Sequence, residues 1–278
     1  MQTKLTILCE NSVGHPFGVV GEHGFACFIE TEAGNVLFDT GQGMGVCGNA
    51  ARLGKKLASI QAIAISHGHY DHTGGLPQVL EQTGPVPVYG HPDIFASRTW
   101  SDGTATRYIG MRHRREYLES LGAQFHLIRN PAEISDRVHL TGEIARNNHF
   151  EKPDPNMTLH PEGAMAVCPD PIADDLSLVV DSEKGLILVL GCAHAGMINI
   201  FDHVLEMFHR DRIYAVVGGT HLGFAQPAQF DETLKAIDRY GIERLGVSHC
   251  TGLEKAASLR AHLGERFFFG CVGAELEG

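Results

Sequence analysis

The sequence has no C-x-x-C pair, no long apolar run and few positive charges for its acids, and each absence removes a class of function. Its seven cysteines, Cys9, Cys27, Cys47, Cys168, Cys192, Cys250 and Cys271, are odd in number and scattered. Such a set builds neither a disulfide framework nor a structural zinc knuckle, and it points to a reducing, cytoplasmic setting. Apolar stretches such as Leu186 to Leu190 fall far short of the roughly 20 residues that a membrane helix needs. Met1 to Glu10 alternates Leu5, Ile7 and Cys9 and reads as a first strand rather than a signal peptide. With 22 Lys and Arg against 33 Asp and Glu, the formal net charge is -11. That field repels phosphate backbones and anionic lipid, so neither nucleic acid nor a membrane is an expected partner. No fixed-period repeat, low-complexity tract or long Ser/Gly/Pro linker divides the chain, and residues 1–278 are read as one domain.

What is present is a recurring theme. Apolar runs end in a small or polar residue and then a potential ligand: Val36 to Phe38 before Asp39-Thr40-Gly41, Ala62 to Ile65 before Ser66-His67-Gly68-His69, and Leu186 to Leu190 before Gly191-Cys192-Ala193-His194. Ile213 to Val217 before Gly218-Gly219-Thr220-His221 and Leu245 to Val247 before Ser248-His249-Cys250 repeat it. Apolar spacing of three and four predicts helices over Gly75 to Gln82, Met197 to His209 and Ala228 to Tyr240. Strand followed by helix, repeated, is an α/β arrangement whose sites collect where strands end. Residues 98–160 break the pattern. They carry Arg98, Arg107, Arg112, Arg114 and Arg115 and a Pro/Asn-rich stretch from Asn147 to Asn156, and they read as a lobe inserted over one edge.

In His67-Gly68-His69-Tyr70-Asp71-His72, four candidate ligands fall within six residues of a buried strand. Imidazole and carboxylate suit zinc, iron and manganese. Positions two apart in an extended loop project to one side, so His67 and His69 reach one ion while Asp71 and His72 turn toward a second. Solvent-facing or capping histidines are the bland alternative, and four ligands at this spacing argue against it.

The H-x-H-x-D-H run, with Asp39-Thr40-Gly41 upstream, resembles the signature of the metallo-β-lactamase superfamily. Gly191-Cys192-Ala193-His194-Ala195-Gly196, Gly218-Gly219-Thr220-His221-Leu222 and Ser248-His249-Cys250-Thr251-Gly252 are similar to a branch labelled dihydropterin–ribofuranosylaminobenzene phosphate synthase-like, after a methanopterin-pathway activity. The resemblance implies a four-layer αββα sandwich with two divalent metal ions at the edge where the loops of both sheets meet. Zinc is the expected metal, with iron or manganese as alternatives. His67 and His69 match the first-metal histidines, Asp71 and His72 the second-metal pair, His249 the last ligand, and Asp39 a supporting carboxylate. Where most members place a bridging aspartate, this chain has Cys192 and His194. His194 is taken as the remaining ligand, Cys192 as a small buried residue or a ligand, and Asp174 and Asp175 as distant candidates for the missing carboxylate. His149 is a weaker candidate for the middle histidine.

Two such ions activate a bridging water and stabilise a leaving oxygen. Asp71 is expected to hold the nucleophilic water as well as a metal. His221 either caps the next helix, binds substrate or protonates a leaving group. Arg112, Arg114 and Arg115 either select an anionic substrate or form a solvated helix face paired with Glu116 and Glu119. The leading expectation is a hydrolase of an ester, lactone or phosphoester of a small anionic metabolite. The alternatives are a transferase condensing a dihydropterin pyrophosphate with an aminobenzene ribose phosphate, and a metal or ligand sensor without turnover. A redox diiron protein is disfavoured because the superfamily's redox members usually carry a flavin domain.

Overall fold

The computed structural model describes residues 3–14, 18–161, 163 and 166–278; Met1 and Gln2 of the expected first strand lie outside them. The strands in chain order are β1 (Lys4–Cys9), β2 (Ala26–Thr31), β3 (Gly34–Phe38), β4 (Ile60–Ala64), β5 (Val86–Gly90), β6 (Ser97–Ser101), β7 (Thr106–Tyr108), β8 (Ala123–Leu127), β9 (Ala132–Ser135), β10 (Val138–Leu140), β11 (Met157–His160), β12 (Cys168–Pro169), β13 (Ser177–Ser182), β14 (Gly185–Leu190), β15 (Ala215–Gly219), β16 (Arg244–Ser248), β17 (Phe267–Phe269) and β18 (Glu275–Glu277). The helices are α1 (Val46–Arg52), α2 (Tyr70–Thr73), α3 (Leu76–Thr83), α4 (Arg115–Ser120), α5 (Met197–Phe208), α6 (Pro227–Arg239) and α7 (Leu253–Leu263).

Two seven-stranded sheets run β18-β1-β2-β3-β4-β5-β8 and β17-β16-β15-β14-β13-β10-β9. Their strands are apolar on both faces because each face is covered. In β2, Ala26 and Phe28 turn to the outer helices while Cys27 and Ile29 turn to the other sheet. In β14, Leu186, Leu188 and Leu190 meet α5, α6 and α7, whereas Ile187 and Val189 face inward. Helices α1, α3 and α4 cover the first sheet in the same manner. The result is the αββα sandwich. Among the described residues no helix is long and apolar enough to cross a membrane.

The parallel runs β3-β4-β5-β8 and β14-β15-β16-β17 end on one edge. Four strand ends turn there through a non-glycine residue of positive φ: Asp39 (59°), Ala193 (58°), His221 (54°) and His249 (52°). Left-handed backbone at such residues is costly and collects at functional edges. Gly191 is needed for a different reason, since a Cβ there would sit 2.1 Å from Ser66 Oγ.

The inserted lobe is a four-stranded sheet, β12-β11-β6-β7. It does not span 98–160 without a break. Residues 115–140 return to the two main sheets as α4, β8, β9 and β10. Their periodicity is weak in sequence because β8 and β9 stand at or near sheet ends and are only partly buried. Backbone bonds from Tyr70 N to Ile109 O (3.0 Å) and from Ile109 N to Arg98 O (3.0 Å) tie the lobe to the His67–His72 loop.

Candidate metal centre

After β4 the chain enters the His67–His72 loop, where a chain of hydrogen bonds sets each ring. Asp39 accepts from Ser66 N (2.7 Å), Ser66 Oγ (2.7 Å) and His72 Nδ1 (2.7 Å). With its hydroxyl proton given to Asp39, Ser66 Oγ accepts from His67 Nδ1 at 2.8 Å. His67 is therefore held as the tautomer whose Nε2 carries a free lone pair, the form that ligates a metal, and the proton that His72 shares with Asp39 fixes its Nδ1 and turns its Nε2 outward from that carboxylate. His67 Nε2 lies 3.0 Å from His69 Nδ1, two nitrogens converging on one point.

From the second sheet, the turn after β14 brings in Cys192 and His194. Ligand atoms of His67, Cys192 and His194 all lie within 4.8 Å of one another, and so do those of His72, Cys192 and His249. Cys192 thus stands between two clusters, its Sγ 3.2 Å from His72 Nε2. It is buried, as expected, and it is also in ligand position. A third group, His23, Asp71 and His249, meets the same limit. Asp71 Oδ2 is 3.1 Å from His23 Nε2 and 3.2 Å from His249 Nε2.

The residues fit a pair of cations. His194 Nε2 is buried with no hydrogen-bond partner, which costs free energy unless something binds in the centre. Burial and the neighbouring imidazoles hold His67 and His194 well below the usual histidine range, and burial takes His69 to about 3. All three are neutral and ready to coordinate at pH 7. Burial alone would raise Asp71, but hydrogen bonds from His23 and His249 hold it well below the carboxylate range. Burial is likewise outweighed at His72, which Asp39 raises to about 9; a cation at Nε2 would take the place of that proton.

Asp39→Asn keeps the shape of this network and removes the charge facing His72. We expect metal affinity to fall about 10- to 100-fold, read by competition with a chromophoric chelator; unchanged affinity would leave Asp39 only a packing role.

Three residues at the site were not anticipated. His249 N donates to Glu10 Oε1 (2.7 Å) and His249 Nδ1 bonds Asn11 Oδ1 (2.9 Å), so Glu10 and Asn11 do for His249 what Asp39 does for His72. They follow β1 as the other ligands follow their strands, a signal that was legible. His23, largely exposed, had no such signal.

Other candidates fall elsewhere. Asp174 and Asp175 do not enter the clusters. Asp174 accepts from Gly68 N (2.8 Å) and pairs with Arg98, while Asp175 accepts from Ala195 N (2.8 Å); they brace the two ligand loops from behind. His149 is exposed and packs on Phe150. Arg112, Arg114 and Arg115 line a separate groove with Phe95 and Tyr108. Arg115 opens α4 and pairs with Glu119 at 2.7 Å, as the helix-face alternative holds, while Arg112 lies 4.4 Å from the Tyr70 ring centre. The arginine that lines the metal cleft is Arg107.

That cleft, about 530 Å³, is bounded by Tyr70, Trp100, Ile109, Met157 and Phe224 and also lined by the candidate ligands His69, Asp71, Cys192, His194 and His249. His221 lines it, its ring 4.4 Å from that of His194, and its side chain makes no capping bond to the next turn. Burial lowers His221 to about 4.

A family model for the metallo-beta-lactamase superfamily matches residues 20–189. A 7,8-dihydropterin-6-methyl-4-(beta-D-ribofuranosyl)-aminobenzene-5'-phosphate synthase of Methanocaldococcus jannaschii is 30% identical, over 90% of this chain and 88% of its own. A solved structure described as a metal-dependent hydrolase of the beta-lactamase superfamily is 26% identical, with a TM-score of 0.85 over 99% of both chains. A diphosphatase from the PhnP family shares the fold at 12% identity, with a TM-score of 0.56 over 100% of this chain and 98% of its own. The strand-end ligand clusters, the sandwich that carries them and these matches together make the chain a member of the metallo-beta-lactamase superfamily.

Proposed function

We propose that the chain is a metal-dependent transferase that condenses a dihydropterin diphosphate with an aminobenzene ribose phosphate. The observation that carries this reading is the 30% identity to the synthase along nearly the full length of both proteins. The cleft supports it by offering aromatic and apolar side chains on which ring-bearing co-substrates can pack. Two divalent ions, zinc first and iron or manganese as alternatives, would carry the charge that develops on the departing diphosphate. As the carbon–oxygen bond to diphosphate breaks and the bond to the aminobenzene partner forms, a proton is lost. His221, on the cleft wall and neutral at pH 7, can accept a hydrogen bond from the reacting partner but is too weakly basic to carry the proton away, which passes to solvent. The seven free thiols favour a cytoplasmic setting for this chemistry.

Hydrolysis of a phosphoester or lactone is the second reading, favoured by the 26%-identical hydrolase structure. There Asp71, held ionised by His23 and His249, would orient the attacking water. The two separate in one assay of the metal-replete protein. Diphosphate released only when both co-substrates are present is the expected result, and release from the pterin diphosphate alone at an equal rate would overturn the transferase.

A further inference from the structure

We infer that Arg107, Trp100 and Met157 form a recognition row for a planar aromatic ring that carries an anionic arm. Strand pairing sets the row. Trp100 lies opposite Arg107 in the β6–β7 pair and opposite Met157 in the β11–β6 pair. Directly opposed residues of antiparallel strands project from one face, so guanidinium, indole and thioether stand side by side across three strands, about 10 Å in all. All three line the metal cleft.

The row is fixed relative to the metal loop. Arg98, two residues before Trp100, shares its face. Its guanidinium is buried against Asp170 and Asp174, and Asp174 in turn holds Gly68 N between His67 and His69. From the second sheet's loops Phe224 lines the same cleft, 70% exposed, its ring 4.9 Å from that of His221.

The chemistry of the row specifies its ligand. An indole offers a flat face for stacking, a thioether adapts to a ring edge, and a guanidinium pairs bidentately with phosphate or carboxylate. Arg107 is the one Lys or Arg among the described residues lining the cleft. An aliphatic phosphate would use the guanidinium and leave the indole bare, so the row selects aromatic over aliphatic anions. The inference deepens the reading under Proposed function, yet its test requires no turnover.

The chain has a single tryptophan, so fluorescence excited at the red edge of the absorption band, beyond tyrosine, reports on Trp100. Metal-replete full-length protein is titrated with phenyl phosphate and with glycerol phosphate, by fluorescence and by calorimetry. Phenyl phosphate should quench saturably and bind about tenfold or more tightly than glycerol phosphate. Arg107→Gln should weaken phenyl phosphate about tenfold, with partial rescue in Arg107→Lys. Trp100→Leu should weaken it about fivefold or more by calorimetry. Metal content, measured in each variant, should stay at the parent level. Equal binding of the two phosphates, or phenyl phosphate binding unchanged in both Arg107→Gln and Trp100→Leu, would overturn the row. Failure to release diphosphate with these binding results intact would sink the proposed reaction and leave the row standing.

Discussion

Metal-replete protein is expected to carry about two divalent ions per chain, and His67→Ala and Asp71→Ala are each expected to lose metal and nearly all turnover. The two variants strike different clusters. His67 shares its group with Cys192 and His194, and Asp71 shares its group with His23 and His249. A divalent ion acting on a developing oxyanion supplies several kcal/mol, and losing it converts to a rate lower by about a thousandfold or more. Inductively coupled plasma mass spectrometry on the parent and both variants reads the stoichiometry. No metal in the parent under replete conditions, or unchanged metal in both variants, would sink the binuclear centre and every reaction built on it.

The second large effect concerns stability. Arg98, 1% exposed, directs Nε to Asp170 (2.7 Å) and both terminal nitrogens to Asp174 (2.8 and 2.7 Å). Replacing it with Met leaves two carboxylates buried without their cation, which costs about 3–5 kcal/mol. In a chain of this size the melting temperature should fall on the order of 10 °C. Arg98→Lys, which keeps the charge and loses the planar fork, should fall between. Because Asp174 also accepts from Gly68 N, metal affinity should drop along with stability. A melting temperature within about 2 °C of the parent would mean that the triad is relaxed or hydrated rather than sealed.

How much of this was legible differed by residue. His67, His69, Asp71 and His72 are neighbours in sequence, so their shared edge follows from one strand and one loop. His194, His221 and His249 were legible because each follows an apolar run, and every parallel strand that ends on the same edge delivers its next residue there. The pairing of His249 with Glu10 spans 239 positions, and local spacing carries no trace of it. Density of positive charge carries no strand register. Arg112, Arg114 and Arg115 are the densest cluster, but they line a separate groove, and the β6–β7 register places Arg107 opposite Trp100 at the candidate metal cleft. The broken lobe was hidden by its edge strands, whose half-exposed faces blur the alternation that marks β13 or β14.

The two sheets divide the chain almost in sequence. The strands of residues 4–127 other than β6 and β7 build the first, together with β18, and those of residues 132–269 other than β11 and β12 build the second. Each half has its own helical layer and its own apolar cluster on its outer face, and each brings only part of the ligand set. To the three candidate clusters the first half supplies His23, His67, Asp71 and His72, and the second supplies Cys192, His194 and His249. A chain halfway through synthesis therefore owns an open ligand loop that no partner closes. The full candidate set exists only after the inner faces have met, so a cation held by both halves would bind after they dock and would mark that both have arrived.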